Sequence, residues 1–221
     1  SCLRVFSRYT TLSIFGTLGV SCYILADTYF VSKGLGTNGL AALNLAVPVY
    51  NFIHGTGLML GMGGATKFSV YRGQGNGKGA DRVYTNTVYL GILFSILFVL
   101  PGLLCSEKLA LLLGADSAVL AMTDTYLRWL LLFAPAFLFN DIFQCFVRND
   151  GGPQLAMTAM LIGSFANIIL DYVFIFPMGM GIFGAIFATG LSPLISIAMM
   201  LPHWIRRKHS FHLIRTRIDG A

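Results

Sequence analysis

Leu155-Ala-Met-Thr-Ala-Met-Leu-Ile-Gly-Ser-Phe-Ala-Asn167-Ile-Ile-Leu-Asp171-Tyr-Val-Phe-Ile-Phe-Pro177-Met-Gly-Met-Gly181-Ile-Phe-Gly-Ala-Ile-Phe-Ala-Thr189-Gly-Leu-Ser-Pro193 decides what kind of chain this is. From Gly151 to Ile205 the only charge is Asp171. A helix needs about 20 predominantly apolar residues to cross a bilayer. This run is long enough for two crossings, and Pro177-Met-Gly-Met-Gly181 supplies the turn between them. A membrane-barrel strand would alternate apolar and polar over about ten residues, and these runs are apolar on every side.

Working outward, the same scarcity of charge recurs. Arg8 to Lys33 holds one charge, Asp27, and Gly34 to Thr66 holds none. Val83 to Ser106 is uncharged, and between Arg128 and Arg148 the only charge is Asp141. Six membrane helices are predicted, at about 9–32, 40–66, 83–104, 125–147, 154–176 and 182–204. The fold class is therefore all-α integral membrane: a six-helix bundle over 1–205, with a basic tail or linker over 206–221. The whole composition agrees. Of 221 residues, 56% are hydrophobic and 11% charged, against about 45–50% and about 25% in soluble domains. Charge this sparse cannot cover a water-facing surface, which excludes a soluble globular domain, a disordered chain and a disulfide scaffold.

The net charge of +6 reads as topology rather than as nucleic-acid binding. Arg4, Arg8, Lys67, Arg72, Lys78, Arg82, Arg148, Arg206, Arg207, Lys208, Arg215 and Arg217 fall on one side of the predicted bundle. Only Lys33, Lys108 and Arg128 fall on the other. Basic residues mark the cytoplasmic side, so both ends of the chain are expected there, in the inner (plasma) membrane. The chain opens with Ser1 and no Met, and a truncated start is expected. Cys2, Cys22, Cys105 and Cys145 form no CxxC pair and read as packing residues. The segment Arg72-Gly-Gln-Gly-Asn-Gly-Lys-Gly-Ala-Asp-Arg82 lacks a Walker pattern and reads as a flexible cytoplasmic turn. Residues 107–124 are too charged to cross and fit a short amphipathic segment on the outer surface.

Charge at membrane depth costs a few kcal/mol or more, so Asp27, Asp171 and Asp141 need an account. Asp27 lies six residues before Lys33, roughly 9 Å from the outer end at about 1.5 Å per residue. Asp171 lies six residues before Pro177, at nearly the same depth. Asn167 is one turn away from Asp171 on the same helical face. Thr189 lies about seven residues into the returning helix. These four side chains are expected to share one layer, and two carboxylates, an amide and a hydroxyl suit a small hard cation or a proton. Asp141, seven residues from Arg148, reads equally well as a structural carboxylate.

An internal echo accompanies the layer. Asp27-Thr-Tyr-Phe-Val leads into Gly39-Leu-Ala-Ala-Leu-Asn-Leu-Ala-Val-Pro48. Asp171-Tyr-Val-Phe-Ile leads into Gly184-Ala-Ile-Phe-Ala-Thr-Gly-Leu-Ser-Pro193. The spacings nearly coincide, as they would in an internal repeat. Pro48, Pro135 and Pro193 sit inside predicted helices and are candidate kinks. His54, Phe52 and Met59 read as packing residues rather than substrate contacts. His203, His209 and His212 are assigned to the juxtamembrane tail rather than to a metal site.

At these residues the chain resembles the multidrug and toxic compound extrusion family. The first helix ends Ala26-Asp-Thr-Tyr-Phe-Val-Ser-Lys-Gly-Leu-Gly36, followed by Gly39-Leu-Ala-Ala-Leu. The fourth ends Asn140 to Arg148, followed by Asn149-Asp-Gly-Gly-Pro153. The fifth carries Asn167-Ile-Ile-Leu-Asp171, and Gly181-Ile-Phe-Gly-Ala-Ile-Phe-Ala-Thr189 follows it. The similarity covers essentially the whole chain.

The resemblance implies a twelve-helix antiporter built of two six-helix lobes, exporting organic cations and other drugs in exchange for Na⁺ or H⁺. It implies that Asp27 and Asp171 are the coupling-ion or proton sites, and metal ligands only if the ion is Na⁺. Asn167, Thr189, Asp141 and Tyr126 would line or complete the same cavity, with Asn140 and Pro48 as further lining positions. Position 141 departs from the family's pattern, being Asp where many members carry Asn. Six helices make one lobe, so the chain is expected to be the N-terminal half. The expected partners are small-molecule substrates, the lipid bilayer and a C-terminal six-helix lobe, with no nucleic acid and no cofactor beyond the ion.

Other readings make different demands. A lipid-linked oligosaccharide flippase of the same superfamily would line its cavity with several Arg, and no Arg sits in mid-membrane. An intramembrane aspartyl protease would need a Gly-x-Gly-Asp stretch, which is missing, so no enzyme is expected. A non-transporting scaffold would be indifferent to loss of Asp27 or Asp171.

Overall fold

The structure, a computed structural model, describes residues 2–205 together with 213 and 214, and only the backbone of 2–6, 8, 9, 12, 13, 20 and 203–205. Arg206, Arg207, Lys208, Arg215, Arg217, His209 and His212, and the side chains of Arg4, Arg8, Cys2 and His203, lie outside that description. All the described secondary structure is helical. The helices are α1 (Cys2–Gly73), α2 (Gly77–Leu104), α3 (Ser106–Leu112), α4 (Leu120–Leu132), α5 (Ala134–Asn149), α6 (Pro153–Ile175) and α7 (Gly181–Ile205).

The first two predicted helices are one helical run broken at a single residue. Gly36 adopts φ 68°, ψ −159° inside α1, a combination open essentially to glycine alone. The break reverses the chain. Tyr23 and Tyr50 are 27 residues apart, about 40 Å along a continuous helix, yet their hydroxyls meet at 2.7 Å. The limbs 2–35 and 37–73 are thus a hairpin with almost no loop.

The fourth predicted helix is two pieces. α4 and α5 meet at Phe133 with a bend of 46°, where Pro135 sits in the first turn of α5. Proline cannot donate the hydrogen bond that would continue α4, so the kink expected at Pro135 becomes a break. Pro48 and Pro193 stay inside their helices. α2 starts six residues before the predicted 83, because Asn76 caps it, accepting from the Gly79 N–H at 2.9 Å. The predicted flexible turn is therefore short, with Gly75 at φ 75° as its pivot. The amphipathic segment is α3 and a turn in which Asp116 accepts from the Ala118 and Val119 N–H groups. α4 begins at Leu120 rather than 125.

α1, α2, α6 and α7 are each long and apolar enough to cross a membrane, and the bent pair α4–α5 passes as one span. Counting both limbs of α1, the six crossings match the expected count. The turns at 74–76 and 150–152 and the end of α7 lie on one face, called the near face. Gly36, 105–119 and 176–180 lie on the other, the far face. Leu213–Ile214 returns to the near end of α2, where the Ile214 N–H donates to Thr85 Oγ1 at 3.1 Å.

Burial runs inside out. Leu25, Leu93, Leu97, Phe165 and Ile169 point outward and exposed, as lipid-facing side chains do and water-facing ones rarely do. Phe52 and Met59 belong to this exposed set, contrary to the packing role expected of them. Cys22 and Cys105 are exposed as well, and Cys145 is buried. Asp27, Asp141, Asn167, Asp171 and Thr189 are buried. Small residues set the closest approaches. Gly57 and Gly61 seat limb 37–73 on α5, the small-xxx-small spacing that lets membrane helices meet backbone to backbone. Gly163 does the same for α6 and α7, where Ser192 Oγ donates to the Gly163 carbonyl at 2.8 Å.

Candidate functional site

Helix register brings the predicted residues together. Limb 2–35 runs parallel to α6, with Gly16 against Met160, Gly19 against Leu161 and Gly34 against Ile175. That register sets Asp27 opposite positions 168–171, next to Asn167 and Asp171. Asp27 lies nine residues before the turn at Gly36 rather than six before the end of its helix, so it is deeper than expected, roughly 13 Å by helical rise. The two carboxylates nonetheless interact electrostatically. α7 returns antiparallel beside α6 and presents Thr189 at the same level.

Asn167 ties the cluster. With its amide turned to suit its neighbours, its nitrogen donates to Asp171 Oδ2 at 3.1 Å, and its oxygen accepts from the Thr189 N–H at 3.3 Å. Thr189 Oγ1 donates to the Ala185 carbonyl at 3.0 Å. Tyr126 from α4 approaches the same Thr189 and lies within electrostatic range of Asp27 and Asp171. Asp27 Oδ1 and Asp171 Oδ1 are buried without a hydrogen-bond partner. An unsatisfied carboxylate oxygen away from water is costly, and protonation or a bound hard cation would lower that cost.

Below this layer, toward the near face, lies a cavity of about 340 Å³. Asn140, Asp141, Asn167 and Thr189 line it, as does Arg148 near its near-face end. Asn167 and Thr189 thus face the cavity and the carboxylate layer at once. Tyr23 and Tyr50 also line it, and their mutual hydrogen bond links the two limbs one turn below Asp27. Pro48 is exposed and does not line the cavity, and Tyr126 is buried beside the carboxylate layer instead.

Asp141 stands apart from the other carboxylates. Gly57 packs against its side chain, which places it about ten residues of helix, roughly 15 Å, below Asp27. Its partner is His54, whose Nδ1 lies 2.8 Å from Asp141 Oδ2. The two are close enough for an ion pair but are not aligned as a hydrogen bond. Arg148, the neighbour expected from sequence, lies two turns further along α5. Gln144 completes this region, with Nε2 3.3 Å from Asn140 Oδ1 and 3.4 Å from Ser196 Oγ.

His54, Tyr23, Tyr50, Gln144 and Ser196 are among the polar cavity residues that sequence reading missed, with Thr17, Ser164 and Ser192. Two signals could have found His54. Folding the chain back at Gly36 pairs position 23 with 50. The Gly57-x-x-x-Gly61 spacing marks the face of that limb which meets another helix. No cluster of three or more His, Cys, Asp or Glu side chains suited to a metal occurs among the described residues.

Known proteins share this fold. The multidrug export protein MepA of Staphylococcus saprophyticus is 26% identical over 200 residues, covering 90% of this chain and 44% of its own length. MepA of Staphylococcus aureus is 28% identical over 203 residues, covering 92% and 45%. The chain spans about half the length of the curated relatives it matches. A MOP superfamily transporter from Pyrococcus furiosus superposes with a TM-score of 0.87 at 29% identity, covering 97% of this chain and 48% of that one. An inward-facing multidrug resistance MATE family transporter gives 0.81 at 30% identity, covering 88% and 46%. The MatE family model matches residues 13–173. With the apolar six-crossing bundle, these matches identify a multi-pass membrane chain that belongs to the MatE family.

Proposed function

We propose that this chain is the N-terminal lobe of a cation-coupled antiporter that exports drugs and organic cations across the cytoplasmic membrane. The observation that carries the reading is the pair of buried carboxylates, Asp27 and Asp171, each with an oxygen left unbonded. In this mechanism the layer exchanges a proton or Na⁺ with the outside, and the cavity below it takes substrate from the inside. Neutralising the carboxylates removes the charge that is expensive at this depth. The population of the two access states then depends on ion occupancy.

Asn167 suits either occupancy. Its amide nitrogen can face an ionised Asp171, and its oxygen can face a protonated carboxyl or a Na⁺ ion. Because it also touches Thr189 on α7, such a reversal would be felt in the returning helix and in the cavity wall. The coupling ion is the only cofactor in this reading. A second lobe completes the transporter, since alternating access needs a partner to rock against. The uneven split of Lys and Arg along the sequence supports a cytoplasmic location for both ends of the chain.

Ethidium efflux from cells producing the protein in a complete transporter tests the reading. Asp171→Asn is expected to reduce efflux to that of cells lacking the transporter. Undiminished efflux would remove Asp171 from the mechanism. Dependence on an imposed Na⁺ gradient at fixed pH separates Na⁺ from H⁺ coupling.

A further inference from the structure

Asp141 is buried and lies well below the carboxylate layer, so coupling at Asp27 and Asp171 leaves it unexplained. Its surroundings have a definite chemistry. The His54 ring lies with Nδ1 2.8 Å from Asp141 Oδ2. The same ring lies nearly parallel to Tyr50, one helical turn away, with ring centroids 6.0 Å apart and planes within 11°. Phe137 meets the Tyr50 ring edge to face at 5.6 Å. The His54 ring is thus bordered by a carboxylate at its edge and an aromatic ring along its face, and a flat cation in its place would gain Coulomb attraction from one and cation–π attraction from the other.

Among the described residues, Asp141 is the one polar partner that holds the ring in place, and the His54 side chain is 41% exposed, against 5% for Asp141. The ring can therefore leave while the carboxylate cannot. Gly57 keeps the space open, because a Cβ there would stand 2.7 Å from Asp141 Oδ2. The adjoining cavity of about 340 Å³ falls within the usual range for small-molecule sites, roughly 300–1,000 Å³. Arg148 lines the same cavity two turns further along α5, which favours a single positive charge on an otherwise apolar body.

We propose that Asp141 and Tyr50 form a recognition slot for aromatic monocations, and that His54 occupies it as a tethered competitor which substrate displaces. The inference rests on the reading of the cavity as a substrate chamber and assigns the residues that select its charge. The apparent affinity of a site that is open only part of the time is reduced by that fraction. Removing the tethered ring should therefore tighten binding, whereas removing an ordinary contact residue would weaken it.

Ethidium binding to the purified protein in lipid nanodiscs tests this by fluorescence, with the neutral dye Nile red as control. His54→Ala is expected to bind ethidium about five- to tenfold more tightly than wild type, with Nile red unchanged. Asp141→Asn is expected to lose ethidium binding. Gly57→Ala, which presses a methyl onto the same carboxylate, is expected to lose it too, so the proposal does not depend on Asp141→Asn folding. Unchanged or weaker ethidium binding in His54→Ala overturns the proposal, as does absence of binding in both wild type and His54→Ala. If binding ignores His54 and Asp141 while Asp171→Asn still abolishes efflux, the slot falls and the coupling reading stands. If His54→Ala tightens binding while Asp171→Asn transports normally, the slot stands and the coupling role of Asp171 falls.

Discussion

Two hairpins of this bundle carry almost the same sequence pattern and build it into different structures. One is the pair of limbs of α1, turning at Gly36. The other is α6 and α7, turning over 176–180. Each sends an Asp toward the far face and returns with a Pro inside the helix. One turn before Asp171 stands Asn167, which bonds to it and to α7. One turn before Asp27 stands Tyr23, which bonds to Tyr50 on the returning limb instead. The position matching Thr189 is Asn44, and it is exposed where Thr189 is buried. One hairpin thus holds its carboxylate through a polar network. The other places its carboxylate by helix register alone and uses its polar contact to join its own limbs. Nearly equal spacing brings both carboxylates into one layer but does not dictate what holds them there.

The largest expected effect is at the carboxylates. In the antiport reading, Asp171→Asn reduces ethidium efflux to that of cells lacking the transporter, a loss of at least about 100-fold, equivalent to about 2.7 kcal/mol or more. In the same reading Asp27→Asn should also be severe, because the two carboxylates would share one ion. Full activity in one and none in the other would show that the two hairpins do not act as a pair. Next come changes that separate the hairpins by stability. Asn167→Ala leaves a buried carboxylate oxygen without its donor and should cost about 1–3 kcal/mol, read from a denaturation midpoint in detergent. Gly36→Ala forces a side chain into a backbone region reserved for glycine and should cost a similar amount, about 1–3 kcal/mol. A Gly36→Ala protein as stable as wild type would mean that the turn is not as tight as described.

Smaller effects sharpen the contrast. Tyr23→Phe removes one hydroxyl from the link between the limbs and should cost about 1 kcal/mol, with Asp171-dependent efflux retained. Asn44→Ala, the counterpart of Thr189 on the exposed side, should lie within about 0.5 kcal/mol of wild type. A large loss at Asn44 would mean that the first hairpin has a polar network after all, completed by something packed against its exposed face.

Much of this was legible in sequence because the bilayer is a demanding solvent. Runs without charge located the crossings, and the lone Asp residues within them marked the buried polar positions. Asn167 and Asp171 could be paired because helical periodicity sets residues four apart on one face. The break at Phe133 was half legible, since Pro135 predicted a kink but not its 46° size. His54 was misread because one histidine in an apolar helix carries no periodic signal. Its meaning depends on a carboxylate 87 residues away.

By itself, then, the sequence determined that the chain crosses the membrane, how many times, and which few polar groups must be accommodated inside. These follow from transfer energies that act residue by residue. Tertiary structure alone decided that a single glycine turns the first hairpin, that Gly57 opens a slot at Asp141, and that His54 fills it. It also decided that Asn167 faces the carboxylate layer and the cavity together. Such facts depend on the register between helices, which is set by the packing of small side chains against neighbours distant in sequence.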